Sequence, residues 1–91
     1  MELRRALERV IEEYNRFRSP EATARLLRLE GSRVEIEFEG PFCLTCGVLD
    51  WVEDLKYVAM DLGLELELLE VNEIELGRLR AVFRVLKGFA R

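Results

Sequence analysis

Two segments of alternating apolar and charged residues, joined by a two-residue turn, constrain the fold of this chain more than any other feature. Residues 24–30 and 33–39 both alternate, and Gly31 begins the turn between them. A two-residue turn with glycine in first position is typical of a β-hairpin and sets which residues face each other. The predicted register gathers five apolar side chains on one face: Leu27, Leu29, Val34, Ile36 and Phe38. Because Arg28 then lies opposite Glu35 on the other face, the sequence predicts an antiparallel hairpin with one apolar side.

Two segments with helical periodicity flank this hairpin. Residues 3–17 carry apolar side chains at spacings of three and four, and Pro20 disfavours continuation of that helix. Residues 48–62 show the same spacing, and Gly63 follows at the position where a left-handed helix cap is wanted. Trp51 falls within the second apolar stripe, so we expect it to pack in the core.

The C-terminal part of the chain predicts two further strands. Residues 64–68 alternate strictly, which indicates a strand with one solvated face. Residues 78–86 fit both a helix and a strand. We prefer a strand, because the segment is rich in β-branched and aromatic residues and because Arg80 and Arg84 would then face the glutamates of the third strand. A helix over this last segment is the alternative.

The fold expected from these segments is a single α+β domain over residues 1–91, in the order α-β-β-α-β-β. We expect a small mixed sheet with two helices packed on one face. A chain of this length hides about 60–65% of its unfolded surface on folding, which leaves no room for a second domain.

The composition of the 91-residue chain limits its possible functions. It is 49% hydrophobic and 35% charged, with no apolar run long enough to span a bilayer and no signal-peptide pattern. Its net charge of −4 argues against general nucleic-acid binding. The absence of histidine excludes a histidine-assisted nucleophile, and the excess of Glu and Arg is typical of thermophile proteins. We therefore expect a cytoplasmic protein that binds neither nucleic acid nor membranes.

The two cysteines are the residues that point to a specific chemistry. Cys43 and Cys46 lie between Gly40 and Gly47, in a short loop that joins the hairpin to the second helix. The free N–H groups at a helix N-terminus favour thiolate over thiol, which improves sulfur both as a metal ligand and as a nucleophile. Nearby carboxylates in the first helical turn oppose this effect by like-charge repulsion.

Ligand count then restricts any metal site. Zinc and iron–sulfur sites take four ligands, and this chain has two soft ones, Cys43 and Cys46. A second chain would have to supply the rest, which predicts a homodimer. Two other interpretations stay open at this point. The cysteine pair also suits thiol–disulfide exchange, or it forms a structural disulfide or two inert buried thiols.

The arrangement of a helix, a hairpin that ends in glycine, Cys-x-x-Cys, a helix and a strand resembles the C-terminal domain of NifU-type iron–sulfur cluster assembly proteins. The resemblance covers roughly residues 1–71. It implies that Cys43 and Cys46 are cluster ligands and that Gly40 opens the loop. A thioredoxin-like fold is disfavoured instead, because only a two-residue turn separates the first two strands and no proline follows Pro41.

The function expected from the sequence is therefore binding and delivery of a metal or cluster. We expect an iron–sulfur cluster or zinc held by Cys43 and Cys46 of two chains, in an assembly or carrier protein with a protein partner in cluster transfer. The alternatives are a small thiol–disulfide oxidoreductase and a protein-interaction module with structural cysteines. Enzymatic activity is left open, with binding preferred.

Overall fold

A computed structural model describes residues 3–40, 48–75 and 77–87 of the chain. It contains two helices and four strands: α1 (Leu3–Arg18), β1 (Thr23–Glu30), β2 (Arg33–Glu39), α2 (Val48–Asp61), β3 (Glu65–Glu75) and β4 (Arg78–Lys87). The α+β class and the element order are as predicted, and the ambiguous last segment is a strand.

The four strands form one sheet in the order β1-β2-β4-β3, and each neighbouring pair is antiparallel. The expectation of a mixed sheet was therefore wrong. The connection through α2 makes β2 and β3 run in the same direction, but β4 lies between them and runs the opposite way. No two parallel strands become neighbours in the described sheet.

The hairpin register departs from prediction at one residue. Near the turn the pairing is as predicted, with Arg28 opposite Glu35. A β-bulge at Leu27 then shifts the register, so that Leu26 faces Ile36. Leu27 is 41% exposed instead of buried, whereas Leu26 packs against the core. The prediction for Leu27 was wrong, because one inserted residue moves the rest of a strand to the other face.

The hydrophobic core lies between the two helices and one face of the sheet. Three aromatic rings belong to it, since Tyr14, Phe38 and Phe83 are fully buried. The rings of Tyr14 and Phe38 meet edge to face with centroids 5.5 Å apart. Trp51 is half-buried and packs against this core, as expected from its place in the apolar stripe. Phe17 belongs to the predicted stripe of α1 but is 68% exposed.

The C-terminus of α2 has the predicted glycine cap. Gly63 adopts a positive φ of 89°. Its N–H donates to the carbonyl of Met60 at 3.0 Å, and the next N–H, of Leu64, donates to the carbonyl of Ala59 at 2.8 Å. These two bonds form a Schellman motif, which satisfies carbonyls at the helix end and turns the chain into β3.

Candidate metal-binding site

The described structure gives both flanks of the cysteine loop. Cys43, Cys46 and Gly47 fall within residues 41–47, outside the described residues, whereas Gly40 is described. On one side β2 ends at Glu39, directly before Gly40, and on the other side α2 begins at Val48. The setting predicted for the pair, between the end of a strand and the start of a helix, is present at both flanks.

Gly40 is confined by two neighbouring segments of backbone. It has a φ of 146°, which lies in the region that favours glycine. A Cβ atom at this position would overlap the carbonyl group of Glu21, just before β1. The Gly40 N–H donates to the carbonyl oxygen of Gly77, in the β3–β4 turn, at 3.0 Å. The start of the cysteine loop is therefore fixed in position by the segment between α1 and β1 and by the turn between β3 and β4.

The other end of the loop is fixed by contacts between α2 and the C-terminal part of α1. The Tyr14 hydroxyl donates to the carbonyl oxygen of Trp51 at 2.9 Å. Arg18 forms an ion pair with Asp54 at 2.6 Å, and its guanidinium carbon lies 5.6 Å from the Trp51 ring centroid. These contacts hold the first turns of α2, which follow Cys46 in the chain. The free N–H groups of that helix end therefore have a defined position and direction.

A buried carboxylate lies three residues before Gly40. Glu37 is 4% exposed, on the sheet face away from the helices. Arg25 on β1 donates to it at 3.0 Å through Nε, and Nε of Arg78 on β4 lies 2.9 Å from its other oxygen. Two arginines from the neighbouring strands thus compensate one buried charge, as burial of a carboxylate requires.

Sequence reasoning did not single out Glu37, Arg18 or Asp54. For Glu37 the predicted register gives the wrong strand neighbour, because without the bulge it would lie opposite Leu26 and not Arg25. Its burial also depends on β4, which brings Arg78 alongside. The pairing of Arg18 with Asp54 has no local signal. It depends on the way the two helices pack.

Within the described ranges, no three Cys, Asp or Glu side chains come together in a group that would hold a metal ion. None of the helices described is long and apolar enough to cross a membrane. No protein-family model matches the chain, and neither the curated proteins nor the solved structures contain a significant match.

Proposed function

We propose that this protein binds and delivers an iron–sulfur cluster or a zinc ion through Cys43 and Cys46, as a carrier or assembly factor. The observation that carries the proposal is the position of a Cys-x-x-Cys pair in an eight-residue segment between the end of β2 and the N-terminus of α2. Thiolates are the ligands that zinc and iron–sulfur clusters prefer.

The flanks of the loop support a binding role. Gly40 donates a hydrogen bond to Gly77 and packs against the backbone of Glu21, and α2 is held by α1 through Tyr14 and Arg18. Both ends of the loop are thereby attached to the folded core, which reduces the conformational freedom lost when two sulfurs coordinate one ion. The helix N-terminus favours the thiolate form that coordination requires.

Ligand count makes the proposed carrier a homodimer. Two thiolates per chain leave two of four positions for a second chain, so that cargo binding and association are coupled. The cargo then passes to a protein partner by ligand exchange at the same sulfurs. We place this carrier in the cytoplasm, where thiols are kept reduced. The resemblance to NifU-type C-terminal domains supports the same assignment.

Anaerobic reconstitution with iron and sulfide tests the proposal. We expect one cluster per two chains and a shift towards dimer, measured by metal analysis and sedimentation of the same sample. Cys43→Ser and Cys46→Ser should each abolish both properties, because serine is a much poorer ligand for soft metals. Thr45→Ser, in the same loop, is the matched control and should retain both.

Three outcomes distinguish the assignments. Zinc bound at the same stoichiometry would keep the site and change the cargo. A protein that stays monomeric and metal-free contradicts the proposal, and a Cys43–Cys46 disulfide in that sample would assign a structural role to the cysteines. Cargo binding that survives both serine substitutions would place the site elsewhere in the chain.

A further inference from the structure

Strand β3 lies at one edge of the sheet, and its outer side differs from that of the other edge strand. On β1, the Asn15 side chain donates to the carbonyl of Ala24 at 3.0 Å and accepts from its N–H at 2.7 Å. Asn15 thus occupies the two backbone groups that another strand would use there. No hydrogen bond of this kind reaches the outer side of β3 from the described residues. The outward backbone groups of β3 are therefore open to a further strand between the three places where its register against β4 shifts.

The side chains of β3 give this edge a strong negative charge. Its 11 residues include five glutamates and no basic residue: Glu65, Glu67, Glu70, Glu73 and Glu75. Three of them form ion pairs with β4: Glu67 with Arg84, Glu70 with Arg80 and Glu75 with Arg78. Two of these arginines are shared with carboxylates of β2, since Arg78 also contacts Glu37 and Arg80 also contacts Glu35. The arginines therefore leave net negative charge along β3.

Two apolar side chains on β3 are also accessible. Leu69 is 37% exposed and Ile74 is 48% exposed, each where the register of β3 against β4 shifts. Long edge strands with accessible apolar residues tend to pair with other chains, and charge on the edge restricts which chains can do so. The negative charge of β3 therefore favours pairing with basic segments and disfavours pairing with acidic ones.

We infer that β3 binds an extended basic segment of another polypeptide, which adds to the sheet as a fifth strand. Main-chain hydrogen bonds supply the pairing, lysine or arginine side chains face the glutamates, and small apolar residues cover Leu69 and Ile74. A second copy of this chain is a poor partner at this edge, because β3 against β3 sets glutamate against glutamate. The same charge repels nucleic acid. The inference goes beyond metal binding, since β3 contains no cysteine.

Titration of the metal-free protein with a short capped peptide of alternating arginine and valine tests the inference. We expect saturable NMR shifts and slower hydrogen exchange at the β3 amides, with little change on β1. The control peptide carries the same number of arginines separated by pairs of prolines, which keeps the charge but removes N–H groups from both edges of the strand and so prevents a continuous ladder. It should produce no saturable shifts at β3.

Two charge reversals locate the interaction. Glu67→Lys should weaken binding of the arginine–valine peptide by about three- to tenfold, because Glu67 lies on the same face of β3 as Glu70 and a favourable cross-strand pair there becomes a repulsive one. Glu12→Lys makes the same charge change at an exposed position of α1 and should leave the affinity nearly unchanged. Equal weakening by both variants, or equal binding of the proline peptide, would show that binding depends only on overall charge and not on strand pairing at β3. Either result would overturn the inference. Concentration-dependent shifts at β3 without peptide would overturn it in favour of self-association.

Discussion

At the level of single residues, Gly40 has less room for a side chain than Gly31 or Gly77. Its surroundings differ from those of Gly31, the other glycine next to the hairpin strands. Both have positive φ, 146° for Gly40 and 62° for Gly31, but nothing lies within 4 Å of a Cβ added at Gly31. At Gly40 the obstacle is the backbone at Glu21, which cannot rotate away as a flexible side chain does.

This difference predicts unequal costs for the same substitution. Gly40→Ala should lower the free energy of unfolding by about 3–4 kcal/mol, because backbone strain adds to a steric overlap. Gly31→Ala should lower it by about 1–2 kcal/mol, from the left-handed conformation alone. Urea unfolding of both variants measures the difference, and equal losses would show that the overlap at Gly40 relaxes at little cost.

At the level of elements, α1 holds the edge of the sheet through one side chain. Asn15 forms two hydrogen bonds with the buried Ala24, so that β1 is attached to the helix as well as to β2. Asn72 on β3 is a natural comparison, since it is exposed and makes one long hydrogen bond, of 3.4 Å, to Glu70.

Removal of these two amides should therefore have different effects. We expect Asn15→Ala to cost about 1–3 kcal/mol, because two buried backbone groups lose their partner. Asn72→Ala should cost less than about 0.5 kcal/mol, as is usual for exposed positions. Chemical denaturation gives both values, and hydrogen exchange at Ala24 should accelerate only in the Asn15 variant. An unchanged exchange rate there would mean that water replaces the amide without loss.

At the level of the whole molecule, the sheet face without helices is covered by an arginine–glutamate network. Arg80 on β4 bridges β2 and β3, with Glu35 at 3.0 Å and Glu70 at 3.3 Å. Val82 lies on the same face, opposite Glu35 and Glu70, and is fully buried. The charged side chains therefore shield apolar surface in addition to pairing with each other, as long arginine stems commonly do.

Arg80→Met should for this reason be costlier than loss of an ordinary surface arginine. We expect a loss of about 1–2 kcal/mol at low ionic strength, because the partly buried Glu35 and the more exposed Glu70 lose their shared partner. Arg16→Met is the control, since Arg16 is 73% exposed and lies 3.7 Å from Glu13, and it should cost less than about 0.5 kcal/mol. Urea unfolding in about 1 M NaCl should narrow the gap, because salt screens exposed pairs. If salt leaves the difference in unfolding free energy between the two variants unchanged, the larger loss in Arg80→Met comes from packing alone.

Much of the fold was predictable from the sequence because the signals that encode it are local. The apolar spacing of α1 and α2, the turn at Gly31 and the cap at Gly63 each involve residues within a few positions of one another. The pairing of Arg80 and Arg84 with glutamates of β3 was also predicted correctly. For the candidate site, the cysteine pair and its place between a strand and a helix could be predicted from the sequence. Strand β2 before the loop and helix α2 after it agree with that placement.

The rest depended on residues far apart in the chain. Insertion of β4 between β2 and β3 made the sheet antiparallel, and this choice is set by which long-range pairings bury the most apolar surface and match the most charges. The bulge at Leu27 and the confinement of Gly40 by Glu21 likewise arise from packing between distant segments. Periodicity and turn chemistry determined the elements, because they act over one or two helical turns or one hairpin. Only the tertiary structure decided the order of the strands and the surroundings of Gly40, because contacts across the sheet have no local sequence signature.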